Sequence, residues 1–183
     1  VARPGYYSVP LIRYGITAEM TATSHVGMHR YTFPQSNKAG IVIDLMNGGC
    51  WDRPMDTFIE RVDPRTGDPD PEGQALRGYR FSRGWADDQK IFFYAEFSKP
   101  FVSLDVQTKD VQIWQDESKI MPTYAHAYFE TGKNEQILMK VGLSSVSMEG
   151  AYDNMQAELA GWDFDETADL ADDLWNHELG RIH

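Results

Sequence analysis

Ile16-Thr17-Ala18-Glu19-Met20-Thr21-Ala22-Thr23 is the stretch from which the architecture is read. Ile16, Ala18, Met20 and Ala22 alternate with Thr17, Glu19, Thr21 and Thr23, and a period of two belongs to a β-strand with one face on a core and one in water. The next run repeats the pattern. His29, Tyr31 and Phe33 fall on one face against Arg30 and Thr32, and Pro34, which has no N–H to give to a ladder, stops the strand. A short connection with Gly27 close by predicts a hairpin between the two.

Outward from this pair, strands are expected at Tyr6 to Ile12, Ile41 to Leu45, Phe58 to Val62, Leu76 to Ser82, Ile91 to Phe97, Val102 to Gln107, Val111 to Trp114, Ala125 to Phe129 and Ile137 to Leu143. Pro10 puts the first of these at an edge or breaks it. In the Ile91 run the inward set is Ile91, Phe93, Ala95 and Phe97. Asn47-Gly48-Gly49 and the segment Asp63 to Gly73, with Pro64, Pro69 and Pro71, read as loops, the latter an exposed, mobile excursion. After Val146 the period changes. Met148, Tyr152, Met155 and Leu159 recur at helical spacing, Gly161 interrupts, and a second helix from about Asp165 carries the stripe Phe164, Ala168, Ala171 and Trp175, with Leu174 and Leu179 beside it. Asp163, Asp165 and Glu166 sit where a helix N-terminus favours negative charge. Many strands followed by terminal helices predict a mainly β, antiparallel sandwich whose chain leaves toward another domain, with a β domain over residues 1–146 and a helical linker over 147–183.

With 183 residues the chain has room for one main core. A net charge of -11 and no basic stripe argue against a nucleic-acid partner. No apolar run approaches the roughly 18 residues of a membrane span. The chain opens at Val1 without an initiating Met, charged leader or apolar leader segment, so a processed chain or a fragment is expected. A single cysteine, Cys50, leaves no intrachain disulfide framework and no CxxC metal site.

Glycosidic chemistry needs two carboxylates about the scissile bond. Glu19, Asp44, Glu60, Glu96 and Glu149 lie in or beside ordered elements, and none can be paired with another from sequence, so each reads as a wet-face or loop-anchoring residue. Asp169, Asp172 and Asp173 lack the alternating spacing and central glycine of a calcium loop and read as a solvated face. In Asp63 to Glu72 the prolines oppose wrapping around a cation. His25 and His29 would stand roughly 13 Å apart on an unbroken strand, too far for one metal, although a hairpin at Gly27 would bring them closer. Ser144-Ser145 lacks the GxSxG surroundings of a nucleophile elbow. The densest polar and aromatic constellation is Phe81-Ser82-Arg83-Gly84-Trp85-Ala86-Asp87-Asp88-Gln89. Arg83, Trp85, Asp88 and Gln89 would suit a sugar, the ring stacking and the polar groups bonding hydroxyls. The competing reading makes Trp85 a core plug, with Arg83 and Asp88 paired across the turn.

Several stretches then resemble the N-terminal domain of glycoside hydrolase family 92, the calcium-dependent exo-α-mannosidases of bacteria. They are Gly5-Tyr6-Tyr7-Ser8-Val9, Tyr14 to Thr23, Gly27-Met28-His29-Arg30-Tyr31-Thr32-Phe33-Pro34, Gly84-Trp85-Ala86 with Asp88-Gln89, Ala95-Glu96-Phe97-Ser98-Lys99-Pro100-Phe101, and Gly161-Trp162-Asp163-Phe164. The resemblance implies an antiparallel β-supersandwich of galactose-mutarotase-like type, joined by linker helices to an (α/α)6 catalytic barrel outside this chain. It implies removal of terminal α-mannose from glycans with inversion, in a secreted or periplasmic bacterial protein. Calcium ligands and catalytic carboxylates are implied to lie in the barrel, so no catalytic or metal-binding residue is expected here, and the implied partners are that catalytic domain and a mannose-containing glycan. The chain also resembles a sandwich entered after its first segment, so uncovered strand edges are expected. Rival expectations are a free-standing carbohydrate-binding module and a structural interdomain spacer.

Overall fold

A computed structural model describes residues 1–48, 52–108, 111–112, 119–120 and 123–181. Among these the strands are β1 (Ala2–Arg3), β2 (Tyr6–Leu11), β3 (Ile16–Ala22), β4 (Val26–Phe33), β5 (Ser36–Asp44), β6 (Arg53–Val62), β7 (Ala75–Arg83), β8 (Gln89–Phe97), β9 (Ser103–Thr108), β10 (Val111–Gln112), β11 (Lys119–Ile120), β12 (Thr123–Thr131) and β13 (Glu135–Ser144). The helices α1 (Met148–Glu158) and α2 (Phe164–Leu179) follow. The first eight-stranded sheet runs β1-β2-β3-β4-β13-β8-β7-β6, a three-stranded sheet runs β5-β12-β9, and β10 pairs with β11. Every neighbouring pair is antiparallel. The expected hairpin joins β3 to β4, but its turn is Thr23–His25, and Gly27 lies inside β4 opposite Ala22. Pro10 sits on the open side of β2, because β1 pairs only with Tyr6 and Tyr7. Of the strand expected at Val111 to Trp114, Val111–Gln112 is present; Trp114, like Gly49 and Cys50, lies outside the described residues.

The two sheets bury their facing side chains between them. Phe33, Ile41, Phe129, Ile137 and Met139 form one part of this core, and Leu45, Ile59, Leu76, Phe93 and Ala95 the next. Removing such a side chain from water stabilises by roughly 1.5–3 kcal/mol. Of the expected inward set of β8, Phe93 and Ala95 are buried and Phe97 packs beside them, whereas Ile91 is partly exposed near the strand's end.

Alternation in β3 and β4 predicts a wet second face. The structure differs: α1 and α2 lie across that face, and Val26, Met28, Val62, Ala75 and Tyr94 pack there against Ala151, Met155, Leu159, Phe164 and Ala168. Both helices are capped by their own sequence, Ser147 accepting from the Gly150 N–H and Asp163 from the Glu166 N–H. Gly142 lets α1 approach, since a Cβ there would stand 2.3 Å from the Ala151 carbonyl oxygen. The α2 stripe holds through Phe164, Ala168 and Ala171, but Trp175 is half exposed where the helix runs past the packed region.

Two cations on this face are held by several partners each. Lys140, 1% exposed, donates to the Leu159 carbonyl at 3.2 Å, meets Glu96 at 3.2 Å and lies 4.3 Å from the Trp162 ring centre. Arg30 donates twice to Glu19, each at 2.8 Å, and once to Asp165 at 2.9 Å, while its guanidinium covers Phe164. The loop of residues 63–74, expected as an exposed excursion, docks instead on this layer, with Arg77 donating to the Gly67 carbonyl and Tyr152 to that of Arg65.

The Arg30 hydrogen bonds hold the Glu19 carboxyl below its ordinary 4.5, burial opposing and the Tyr6 hydroxyl assisting. A depressed carboxyl stabilises the fold above its unfolded pKa and loses that contribution as pH falls through the folded value. Thermal unfolding of Glu19→Gln and the parent chain should therefore differ most near neutral pH, with the gap closing below about pH 4; a constant gap would contradict this.

Candidate functional site

β7 and β8 form a hairpin closed by the Ser82–Gln89 pair, and its tip carries the polar and aromatic constellation. The tip is braced by its own backbone. The Gly84 N–H donates to the Ala86 carbonyl at 2.9 Å, and Arg83 Nε donates to the Asp87 carbonyl at 3.0 Å. Beneath it, Tyr79 and Phe81 stack at 4.3 Å, and Phe92 meets Phe81 edge-on at 5.5 Å. These rings anchor the root of the hairpin and leave the tip in water.

Trp85 is 91% exposed, which overturns the core-plug reading. The expected Arg83–Asp88 pairing is also replaced: Arg83 holds the Asp87 carbonyl, and Asp88 faces Lys90 at 3.3 Å. A shallow cleft brings together Trp85, Asp88 and Gln89 with Lys90, Ile91 and Ser145. Three of the four candidate residues thus share a surface, while Arg83 lies outside it as a brace. Lys90 could have been found by its adjacency to Gln89. Ser145 arrives from the far end of β13, and no local pattern marks it as a neighbour.

A second support is long-range. Arg80 donates to Asp52 at 2.5 Å and to the Leu45 carbonyl at 3.0 Å, fastening residues beyond β5 to β7. Asp52 in turn lies so close to the hairpin that a Cβ on Gly84 would stand 2.6 Å from the Asp52 Cβ.

Most of the carboxylates weighed from sequence have partners elsewhere. Glu19 pairs with Arg30, Glu60 with Arg77 and Glu96 with Lys140. Asp44 accepts from the N–H groups of Met46 and Asn47, and Glu149 stands 3.6 Å from Arg77. Asp172 pairs with Arg3 along the solvated side of α2. His25 bonds Glu158 at the β3–β4 turn, whereas His29 lies within the sheet beside the Tyr31 hydroxyl, its pKa lowered by burial. Among the described residues no group of three or more His, Cys, Asp or Glu side chains is disposed to hold a metal ion. The cleft can therefore offer an aromatic surface and a few hydrogen-bonding groups, with Asp88 its one carboxylate.

Comparison with known proteins gives this arrangement a context. The model of the glycosyl hydrolase family 92 N-terminal domain matches residues 1–144. An uncharacterized secreted glycosidase of Arthroderma benhamiae is 25% identical over 207 residues, covering 99% of this chain and 25% of its own. The family GH92 alpha-mannosidase BT3965 of Bacteroides thetaiotaomicron is 30% identical, with a TM-score of 0.82 over 98% of this chain and 24% of its own. The inverting mannosidase BT2199 of Bacteroides thetaiotaomicron, 24% identical with a TM-score of 0.76, shares the fold over 100% of this chain and 23% of its own. The chain thus spans about a quarter of the length of these relatives.

Replacing Gly84 by Ala should lower stability by about 1–3 kcal/mol, the usual cost of overpacking, whereas Ala86→Ser at the exposed tip should change it little. Urea unfolding of the two variants checks this, and equal stabilities would contradict the close Gly84–Asp52 contact.

Proposed function

This chain belongs to glycosyl hydrolase family 92, as its N-terminal domain, and we propose from that membership that it is the non-catalytic β-sandwich scaffold of an exported exo-α-mannosidase. In this reading it supports a C-terminal catalytic domain and lends the Trp85 hairpin to the recognition of a mannose-containing glycan. The whole protein would remove terminal α-linked mannose with inversion.

The engagement of the candidate carboxylates carries the proposal. Inversion needs an acid and a base roughly 6.5–9.5 Å apart with a water between them, and the Trp85 cleft brings a single carboxylate, Asp88. Its surroundings suit binding instead: an exposed indole offers its face to the C–H side of a sugar ring, and Asp88, Gln89 and Lys90 supply acceptors and donors for hydroxyls. The calcium that family resemblance implies would be held by residues of the catalytic domain, outside this chain. The protein would be secreted, a reading the secreted relative supports, whereas a bacterial periplasmic location rests on the family resemblance alone.

The exposure of Trp85 also favours a second reading, a free-standing carbohydrate-binding module; a purely structural spacer would use neither ring nor cleft. Incubated with an aryl α-mannoside, this chain should release no aryl alcohol above the buffer rate, and turnover would overturn the scaffold assignment. Saturable mannose-induced shifts at the amides of residues 85–90, lost in Trp85→Ala, would favour the module, and none at these amides the spacer or a hairpin that acts only with its catalytic partner.

A further inference from the structure

β5 is an edge of the three-stranded sheet, and its ladder with β12 fixes which backbone groups turn outward. The Leu45 N–H donates to the Thr123 carbonyl at 3.2 Å. Taken alternately from there, the hydrogen-bonded pairs are Ile43–Ala125, Ile41–Ala127 and Ala39–Phe129. The N–H and C=O groups of Lys38, Gly40, Val42 and Asp44 consequently point away from β12, where no described strand lies. The Lys38 N–H takes a local acceptor, the Ser36 hydroxyl at 3.0 Å.

Open strand edges are usually blunted. Those of the large sheet carry proline, Pro10 in β2 and Pro54 in β6. β9, the other edge of the small sheet, is only six residues long and carries Asp105 without a cation. β5 has no proline, and opposite charges stand exposed at Lys38 and Asp44.

The floor beneath this edge is bare. Just beyond β5 the Leu45 carbonyl accepts from Arg80 Nε, and Arg80 pairs across β7 and β8 with Ile91. Leu143 stands opposite Phe93 on the same face. Phe93 is 5% exposed beneath the small sheet, but Ile91 is 36% and Leu143 43% exposed, so the cover ends between them. At the other end of these strands Phe101, which leads into β9, is buried against Phe97. The uncovered end thus lies on the β5 side. Ile91 also borders the Trp85 cleft, whereas Leu143 does not.

We propose that the outer edge of β5 is a strand-addition site for an extended, antiparallel polypeptide segment from outside these 183 residues. Its alternate apolar side chains would continue the core over Leu143, and a base followed six positions later by an acid would meet Asp44 and Lys38. The β5 sequence itself, reversed about Ile41, has this pattern: Lys falls opposite Asp44, Asp opposite Lys38, and Ala39, Ile41 and Ile43 lie on the floor side. A folded second copy cannot present it there, because its own large sheet would collide with the bare end of this one. A peptide can. The proposal does not depend on the mannosidase reading.

The test titrates a capped peptide of the sequence Ser36 to Asp44 into the isotope-labelled chain and follows the chain's amides by NMR. Saturable shifts and slowed hydrogen exchange are expected at Gly40 and Val42. A peptide with its Lys and Asp exchanged sets like charges opposite each other at both ends and should bind about tenfold more weakly. A nitroxide at the peptide's N-terminus should broaden the Asp44 amide rather than that of Lys38, the mark of antiparallel addition. Val42→Pro removes an outward N–H and leaves the β12 ladder intact, so it should abolish binding while the melting temperature stays close to that of the parent chain. No saturable shift, equal binding of the two peptides, broadening at Lys38, or undiminished binding by Val42→Pro would overturn the proposal. So would sedimentation of the chain alone as a dimer that Val42→Pro dissolves, since a second copy would then hold the edge.

Discussion

A lysine amine with 2% of its side chain exposed fastens the helical layer to the sheet. Lys140 stands on β13, the strand that joins the two halves of the large sheet, and spends its protons on Glu96 and on the carbonyl where α1 ends. The carbonyl end of a helix carries partial negative charge, so an ammonium there is favoured electrostatically as well as by hydrogen bonding. Breaking a buried pair by removing one partner costs about 3–5 kcal/mol, enough to orient the chain between α1 and α2. Arg30 repeats the device at the start of α2 by joining Glu19 to Asp165.

This arrangement explains why the two faces of one sheet are both dry. Its inner face packs on the three-stranded sheet and its outer face on the helices, so β8 buries Phe93 and Ala95 on one side and Tyr94 on the other. The exposed clefts consequently lie at the strand ends and loops. The Trp85 hairpin projects from one such end, and the loop of residues 63–74 folds onto the outer face to shape a cavity beside α1. A rigid support with functional groups on its connections is a common division of labour in β proteins.

Strands were legible where each alternated cleanly against a core, as in Ile16 to Ala22 and Val26 to Phe33. Helices were legible by period and by the acidic first turn of α2. What could not be read was where those helices would lie. Glu19, Arg30 and Lys140 look like solvent-facing residues because their charges give no local sign of the partners that neutralise them, which arrive 11, 135 and 44 positions away in Arg30, Asp165 and Glu96. The proline-rich loop failed for the same reason, since its docking depends on Arg77 and Tyr152. At the hairpin tip, Trp85, Asp88 and Gln89 are neighbours legible in the sequence because one turn presents them together, whereas Ser145 reaches the same cleft, and Asp52 and Arg80 its support, through tertiary contacts.

Whether a buried charge holds the two layers together is measured most directly by a double-mutant cycle on Lys140 and Glu96, using chemical unfolding of Lys140→Met, Glu96→Gln and the pair. The account predicts a loss of about 3–5 kcal/mol for Lys140→Met and a smaller loss when Glu96→Gln is added, because the uncompensated carboxylate is then removed. A Lys140→Met chain as stable as the parent, or strictly additive effects, would contradict it.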